Sequence, residues 1–504
     1  MPADTHTRQK RLFKNSAYSL FSWLFPLLPT FVVTPIVVKA LGNEMYGVYV
    51  VILGFLSYFF TFGIGKAAAK YVAEYRATGE TEKISDIISS TIVLSFVLGI
   101  VGTAGISLFA RYIVTDVLLI SPPLQDTAVV ALYLACANIL VAMLNQIFQF
   151  ALQGLQRFDR FLMLTNLYSL LISIGSVALV LNGFGVVALL YWTLFVASLT
   201  CTLSYVMAHR LLPEFKFSFR VKREPWQLVW RYAASIIAYQ VFGNLLLIFE
   251  RGWIMRKFGA EALTYYAVPM TLGMYIHLFT SSLVIAIFPM VNELLAEKEK
   301  LVKLYKKSTK LILVLVVFAV ISAVAGGRMF LGLWMNEEFA RISYTLLVIH
   351  VLTFGLLAMN TIVWQVAESF RFAALNAFAT LGWMAISVPL MVLLSERYES
   401  AGVAIARLAG VMVFIPLIFY VEKRFLGGIY WSFWGGITAR IGVAAAAAYG
   451  AEWLMQYWLK AAWPTFFISV AVGFIVYTAT LLVAGFADAE DRQILRNAWR
   501  GSRA

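Results

Sequence analysis

Residues 38–51 read VKALGNEMYGVYVV and residues 255–268 read MRKFGAEALTYYAV, and each stretch interrupts a long apolar run. The same shift of 217 positions aligns FGVVAL at 184–189 with AGVAIA at 401–406. In the first pair it aligns Lys39 with Arg256, Gly42 with Gly259, Glu44 with Glu261, Tyr49 with Tyr266 and Val51 with Val268. Two separate matches at one spacing indicate an internal duplication.

The composition is that of a membrane protein. Of the 504 residues, 61% are hydrophobic and only 13% are charged, whereas soluble domains carry roughly 25% charged residues. Cys136 and Cys201 both lie within apolar runs and provide no disulfide framework. The net charge of +14 is explained by membrane topology, as described below, so no nucleic-acid partner is expected.

Segments long enough to cross a bilayer need about 20 apolar residues. Fourteen segments meet this requirement: 15–38, 46–66, 86–109, 125–150, 161–181, 186–208, 228–250, 262–290, 310–329, 342–364, 372–394, 401–421, 437–455 and 464–486. No stretch between them is long enough for a separate soluble domain. The sequence therefore predicts an all-α polytopic membrane protein of about 14 transmembrane helices.

The positions of lysine and arginine predict the orientation. Loops on the side of the N-terminus carry 28 of the 40 basic residues, the opposite loops carry 9, and the other three lie within or at the ends of spans. Cytoplasmic loops are enriched in basic residues. We therefore expect both termini in the cytoplasm and the protein in the cytoplasmic (inner) membrane.

The repeat period corresponds to six spans, an even number, so both copies keep the same orientation in the membrane. Such parallel repeats are related by an axis along the membrane normal, and transporters built this way bind substrate between the halves. The expected divisions are a tail at 1–14, an N-lobe at 15–208, a basic linker at 209–227, a C-lobe at 228–421, two extra helices at 422–486 and a tail at 487–504.

Polar side chains form a stripe along span 4, and their counterparts in span 10 are also polar. At 100° per residue, Asn138, Asn145, Gln149, Gln153 and Gln156 lie on one helix face. A shift of 212 positions leads to His350, Thr361 and Gln365. Two interpretations remain open: hydrogen bonds that hold helices together, or a hydrophilic lining for sugars.

Charged residues within spans are expensive in lipid and therefore face protein or water. Arg251, Arg407 and Lys66 are candidates for binding an anionic group, although snorkelling of Arg407 and a topological role for Lys66 are alternatives. Gln240 and Asn244 share the helix face of Arg251. Glu250 and His277 are candidates for ion or proton coupling, and a structural hydrogen bond is equally consistent with His277.

Span 1 contains Pro26, Pro29 and Pro35. Each proline removes a backbone donor and can kink the helix, so the segment is a candidate gate, with a static kink as the alternative.

No motif for catalysis is present. GIGKAAA at 63–69 lacks the first glycine and the Ser or Thr of a phosphate-binding loop, and HExxH, CxxC and GxSxG do not occur. We expect no enzymatic activity, no cofactor and no metal, and transport driven by an ion gradient, the membrane potential or the substrate gradient.

The stretches KALGNEMYGVYVVILGFLSYFFTFGIGKAAAKYVAEY, ALQGLQRFDRF and RYESAGVAIARLAG resemble the polysaccharide-transporter branch of the multidrug/oligosaccharidyl-lipid/polysaccharide exporter superfamily, the O-antigen flippase (Wzx) type. The resemblance implies two six-helix lobes around a cavity and export of undecaprenyl-diphosphate-linked oligosaccharide for O-antigen, exopolysaccharide or capsule synthesis. It implies as partners this substrate, membrane lipids, a polysaccharide polymerase and other biosynthesis proteins. A diphosphate would favour Arg251, Arg407 and Lys66 as its contacts.

Two other classes remain. A cation-coupled multidrug antiporter of the same fold would need a buried acidic residue, and acidic residues in mid-span are few here. A membrane-embedded sugar polymerase or ligase would carry a large outer loop, whereas the predicted outer loops are all short.

Overall fold

The structure is a computed structural model. It describes residues 27–60, 64–213, 215–219, 222–285, 291–292, 294–295, 297–370 and 372–486. Within these ranges all regular structure is helical, and the chain is an all-α polytopic membrane protein.

Fifteen helices of eight or more residues make up the described part of the chain. They are α1 (Leu27–Leu41), α2 (Asn43–Phe60), α3 (Gly65–Thr78), α4 (Thr81–Leu108), α5 (Pro122–Gly154), α6 (Phe158–Leu181), α7 (Val186–Leu211), α8 (Arg223–Ile285), α9 (Lys298–Trp334), α10 (Glu337–Met359), α11 (Thr361–Ser369), α12 (Ala373–Val411), α13 (Phe414–Val421), α14 (Trp431–Trp458) and α15 (Trp463–Val483). A π-helical turn, Glu422–Leu426, extends α13.

Every predicted span overlaps one of these helices. Among the described residues, nine helices are long and apolar enough to cross a membrane, judged by length and composition. Two of the nine, Phe242–Val284 and Ala374–Leu426, each contain parts of two predicted spans. Apolar residues dominate these segments without a regular polar face, because a helix in lipid has no solvent-facing side that must be polar.

Several helix limits differ from the sequence-based ones. Residues 65–78, predicted to begin an inner loop, form the separate helix α3, which buries Tyr71, Val72 and Tyr75 and exposes Glu74. Lys66 therefore lies in the first turn of α3 rather than at the end of span 2. The helix is amphipathic. Its polar residues lower its mean hydropathy, so it does not stand out in the sequence as an apolar run.

Breaks occur within two of the long helices. In α8 the backbone leaves helical geometry at Gly259 (φ 85°, ψ 176°), and in α12 it does so at Glu399 (φ 49°, ψ −134°). Gly42, the repeat partner of Gly259, also has a positive φ of 78°. Only glycine adopts such angles without strain, which explains why both copies of the motif keep a glycine at this turn.

The chain divides into two compact units. One comprises Met1–Ala267 and Thr380–Ala406, and the other comprises Val268–Ala379 and Arg407–Ala504. The assignment of two six-helix lobes separated by the linker 209–227 stays a prediction.

Candidate functional site

The two copies of the repeated motif pack against each other within the first unit. Asn43 at the start of α2 donates from Nδ2 to the Tyr265 hydroxyl (3.0 Å) and to Glu261 Oε1 (3.3 Å). Thr264 Oγ1 donates to the backbone oxygen of Asn43 at 2.6 Å. Gly47, the repeat partner of Thr264, packs directly on the backbone of Ala260, the partner of Asn43. The contact is therefore close to symmetric.

A cavity of about 480 Å³ lies in the first unit, beside the predicted stripe on α5, and both apolar side chains, such as Leu53, Ile139 and Met143, and polar ones line it. Its polar lining is neutral throughout and comes from four helices: Tyr49 of α2, Asn138, Asn145, Gln146 and Gln149 of α5, Thr165 and Tyr168 of α6, and Thr193 of α7. Volumes of about 300–1,000 Å³ are usual for ligand pockets. The cavity can therefore present hydroxyl and amide groups to a small neutral polar ligand.

Asn138 lies at the contact between α5 and α7. Its Nδ2 donates to the backbone oxygens of Leu134 (2.9 Å) and Leu190 (3.2 Å), which ties α5 to α7. Its Oδ1 is buried and has no hydrogen-bond partner among the described residues. This oxygen is not accessible from the cavity, so in this structure Asn138 mainly joins two helices.

Asn145 illustrates the competing interpretation of the stripe. Its Oδ1 accepts a hydrogen bond from Ser204 Oγ at 2.8 Å, and its Nδ2 faces Thr200 Oγ1 at 3.4 Å. Both partners belong to α7, so Asn145 mainly joins two helices. Gln153 lies one turn beyond Gln149, half-buried and outside the cavity lining.

Sequence reasoning missed several lining residues. Gln146, Thr165, Tyr168 and Thr193 were not singled out, because the neighbours of α5 in space could not be read from the chain. Tyr49 could have been found, since it is a matched position of the repeated motif.

Arg251 and Glu250 lie side by side in α8. Arg251 is only 8% exposed, and its Nη1 approaches the backbone oxygen of Val50 at 3.4 Å. A Cβ at Gly54 would lie 3.1 Å from both Cδ and Cζ of Arg251 and closer still to Nη1, so the missing side chain of Gly54 makes room for the guanidinium. Glu250 is fully buried and accepts a hydrogen bond from the Tyr266 hydroxyl.

Arg407 belongs to the second unit and is 2% exposed. Its guanidinium carbon lies 5.2 Å from the ring centroid of Phe354, a cation–π distance. The fully buried ring of His350 lies one turn before Phe354 on α10. Arg407 is thus surrounded by protein.

The predicted stripe on span 10 is interrupted. A turn at Asn360 separates α10 from α11, so His350 lies on one helix and Thr361 and Gln365 on the next. Thr361 is buried, and its Oγ1 has no hydrogen-bond partner among the described residues, whereas Gln365 is half-buried. His277 is half-buried, with Nε2 at 3.5 Å from Ser281 Oγ.

The remaining candidates have less distinctive surroundings. Lys66 and Asn244 are half-buried. The side chain of Gln240 and the whole of Pro26 lie outside the described residues. Pro29 and Pro35 both lie in α1, which is helical from Leu27 to Leu41. Within the described ranges no group of three or more His, Cys, Asp or Glu residues could hold a metal ion.

Comparison with solved structures identifies the fold. The lipid II flippase MurJ, in an inward closed conformation, superposes with a TM-score of 0.71 at 13% identity over 94% of this chain and 98% of that one. An inward-facing multidrug resistance transporter of the MATE family gives 0.66 at 15% identity, over 81% of this chain and 94% of that one. A transporter of the MOP superfamily from Pyrococcus furiosus gives 0.61 at 16% identity, over 82% and 95%.

Sequence comparison is consistent with this fold. A protein of Shigella flexneri named "Putative O-antigen transporter" is 20% identical over 413 residues, which cover 78% of this chain and 94% of that protein. The family model described as "Polysaccharide biosynthesis protein" matches residues 12–295, more than half of the chain. The resemblance noted from the sequence is thereby confirmed, and the chain belongs to the polysaccharide biosynthesis protein family.

Proposed function

We propose that the protein is a flippase that moves undecaprenyl-diphosphate-linked oligosaccharide across the bacterial cytoplasmic membrane, with both termini in the cytoplasm. The observation that carries this proposal is the set of neutral polar groups that line the cavity beside α5. A sugar sheds water when it enters the membrane, and its hydroxyls then need hydrogen-bond partners. Amides and hydroxyls can donate and accept without imposing a charge on the ligand.

The family and the names of the relatives support the same class of substrate. An O-antigen transporter and a lipid II flippase both suggest a glycan carried on a lipid. In this proposal no covalent bond of the substrate is made or broken, and the protein acts by changing which side of the membrane the site faces.

The diphosphate of such a substrate requires cations. Arg251 and Arg407 are proposed to supply them, with Lys66 as a further candidate. Both arginines are buried, and a guanidinium in a low-dielectric setting binds phosphate oxygens strongly through paired hydrogen bonds. Replacement by lysine keeps the charge but loses the paired geometry, so partial activity is expected from Arg→Lys and almost none from Arg→Ala.

Two threonines on the same helix allow a test of whether the cavity binds the sugar. Thr193 lines the cavity, whereas Thr202 is exposed on α7, and both hydroxyls donate to the backbone oxygen four residues earlier. In a flippase-deleted strain that depends on this protein, Thr193→Val and Gln149→Leu should each lower surface glycan about two- to tenfold, the effect of one lost hydrogen bond. Thr202→Val should export normally at equal protein level. Equal export by all three variants would contradict the cavity as the sugar site.

Alternating access is tested at the contact between the two motif copies. Asn43 and Tyr265 are joined by a hydrogen bond, so cysteines at both positions can be bridged by a short reducible cross-linker. Cys136 and Cys201 are first replaced. We expect the cross-linked protein to stop exporting and to recover after reduction, because the outer ends of these helices must separate. Unchanged export after complete cross-linking would contradict this step.

Glu250 is proposed to carry the coupling cation, with His277 as the second candidate. A fully buried carboxylate needs a compensating cation, so Glu250, which accepts a hydrogen bond from Tyr266, is the first candidate to bind one. Export in inverted vesicles should therefore respond to an imposed proton or sodium gradient, and Glu250→Gln should remove the response. If Glu250→Gln leaves the response intact while His277→Gln removes it, His277 is the coupling residue and the assignment to Glu250 is wrong.

A further inference from the structure

A buried carboxyl group lies where α9, α14 and α15 meet in the second unit. Glu452 of α14 is fully buried. Its Oε1 accepts a hydrogen bond from Ser322 Oγ of α9 at 2.7 Å, whereas its Oε2 is buried and has no hydrogen-bond partner among the described residues. A Cβ at Gly473 of α15 would lie 2.7 Å from Cδ of Glu452 and closer still to Oε1. The missing side chain of this glycine therefore makes room for the carboxyl group.

No basic residue lies at the level of this carboxyl group on the three helices, all of which the structure describes in full. Arg328 is six residues beyond Ser322 on α9, about 9 Å along the axis, and its Nη2 pairs with Glu337 Oε1 at 3.1 Å. Arg440 is twelve residues before Glu452, about 18 Å along α14, and α15 carries no charged residue. The chain thus provides no counter-charge for an ionised Glu452 at this contact.

The other titratable groups of these helices and of the neighbouring α10 are engaged elsewhere. The hydroxyls of Tyr477 on α15 and Tyr344 on α10 donate to backbone oxygens of α9, at 3.2 Å and 2.7 Å. Tyr305 of α9 donates to Glu422 at 2.9 Å, and Tyr449 of α14 is exposed. Their hydroxyls therefore do not serve as donors to the second oxygen of Glu452.

These contacts favour the protonated form of the carboxyl group. An isolated charge is far more costly to bury than a neutral polar group, and such a group becomes neutral instead. Ser322 Oγ donates to Oε1, so Oε1 is the carbonyl oxygen and the proton belongs on Oε2. A hard metal cation would need about six oxygen ligands, whereas a proton needs a single oxygen.

We propose that Glu452 binds a proton on Oε2 and is held as a neutral carboxylic acid in the folded protein, so that the packing of α14 and α15 against α9 depends on pH. The residues involved lie outside the lining of the cavity beside α5. The proposal needs no substrate, and its tests therefore do not depend on the proposed flippase activity.

Polar groups continue from Glu452 toward the end of α14. One turn further on, Gln456 Nε2 donates to Ser469 Oγ of α15 at 3.2 Å, and Gln456 is half-buried. Trp458, which ends the helix, and Lys460 beyond it are exposed, and tryptophan is enriched at membrane–water interfaces. Glu452 is six residues before this end, about 9 Å along the axis. A proton can therefore reach the carboxyl group from this side, which is the outer side in the predicted orientation.

The first test is infrared spectroscopy of the purified full-length protein in detergent at neutral pH, where a protonated carboxylic acid shows a C=O band that a carboxylate lacks. Glu452→Gln should remove the intensity of one such group from the wild-type band, and the exposed Glu338→Gln should leave the band unchanged. Ser322→Ala should keep the band and raise its frequency, because the C=O group loses its hydrogen bond. An unchanged band in Glu452→Gln would show that Glu452 is ionised and would overturn the proposal.

The second test compares the unfolding of wild type and Glu452→Gln by sodium dodecyl sulfate in mixed micelles at several pH values. The folded protein keeps a proton that the unfolded chain releases above about pH 4.3, where an exposed glutamate ionises. The unfolding equilibrium constant of wild type relative to that of Glu452→Gln should therefore rise with pH, by up to about tenfold per pH unit.

Two results of these measurements would contradict the proton site. A ratio of the two unfolding constants that does not change with pH would show that folding retains no proton at Glu452. Loss of the infrared band on addition of sodium chloride at constant pH, with potassium chloride as control, would show that the carboxyl group binds a metal cation instead.

Discussion

Replacement of Gly47 by alanine should weaken the contact between the two motif copies. A Cβ at Gly47 would lie 2.5 Å from the backbone carbonyl carbon of Ala260 and closer still to its oxygen. Ordinary van der Waals contact begins at 3.4 Å, so α2 and the second half of α8 would have to separate by more than about 0.9 Å. The obstacle is backbone, which cannot rotate out of the way as a side chain can.

The expected magnitude follows from a comparison with a second glycine. Overpacking of this kind costs about 1–3 kcal/mol, while exchange of glycine for alanine inside a helix contributes about 1 kcal/mol in the opposite direction. Gly105 in α4 has no atom within 4 Å of its Cβ position, so Gly105→Ala gains the propensity alone. The two variants should therefore differ by about 1–3 kcal/mol in the free energy of unfolding.

The assay is unfolding of the purified protein in mixed micelles by titration with sodium dodecyl sulfate. Gly47→Ala should unfold at a denaturant concentration equal to or lower than that of wild type. Gly105→Ala should unfold at a higher denaturant concentration than wild type. If Gly47→Ala is as stable as Gly105→Ala, the two backbones are not in contact at this point and the reasoning fails.

Three further outcomes are expected. Glu399→Gly should raise the free energy of unfolding by about 1 kcal/mol, because Glu399 has a φ of 49° that suits glycine. Arg397→Gly, in the helix before Glu399, should lower the free energy of unfolding by about the same amount. Glu422→Ala should lower the free energy of unfolding by at least about 2 kcal/mol in the same titration, because the buried Tyr305 and the half-buried Trp434 lose their acceptor. The exposed Glu338→Ala serves as control, and equal stability of the two variants would be inconsistent with the buried contact. Reporter fusions after Arg111 should lie outside and those after Arg76 and Lys303 inside, and a reversal at two of these three sites would contradict the charge-based topology.

Much of the fold was accessible from the sequence because lipid imposes a simple rule on composition. Apolar runs of sufficient length must be helices, and each predicted span overlaps one. The repeated motif aligned Gly42 with Gly259, and both glycines have a positive φ in the structure. The amphipathic helix α3 was missed because it is too polar for a search based on hydropathy.

The site was predicted less completely, and the reason is geometric. Helical periodicity assigns residues to a face, and Asn138 and Gln149, which it grouped, line one cavity. It cannot say which helix that face meets, so the sequence did not show that Asn145, unlike its neighbour Gln149 in the cavity lining, bonds to Ser204 of α7. Helical periodicity also fails where a helix is broken. The turn at Asn360 divides the polar stripe on span 10, and no glycine or proline at the turn predicts it from the sequence.

The space that Gly54 leaves for Arg251 links two positions that are almost two hundred residues apart in the chain. Any side chain at position 54 would push the guanidinium out of its place beside the Val50 carbonyl. The two residues should therefore change together over evolutionary time: relatives with alanine or larger at the position of Gly54 should lack arginine at that of Arg251. Conversely, Gly54→Ala should mimic loss of the arginine, and the smaller, more flexible cation of Arg251→Lys should be tolerated better in that background than in the wild type.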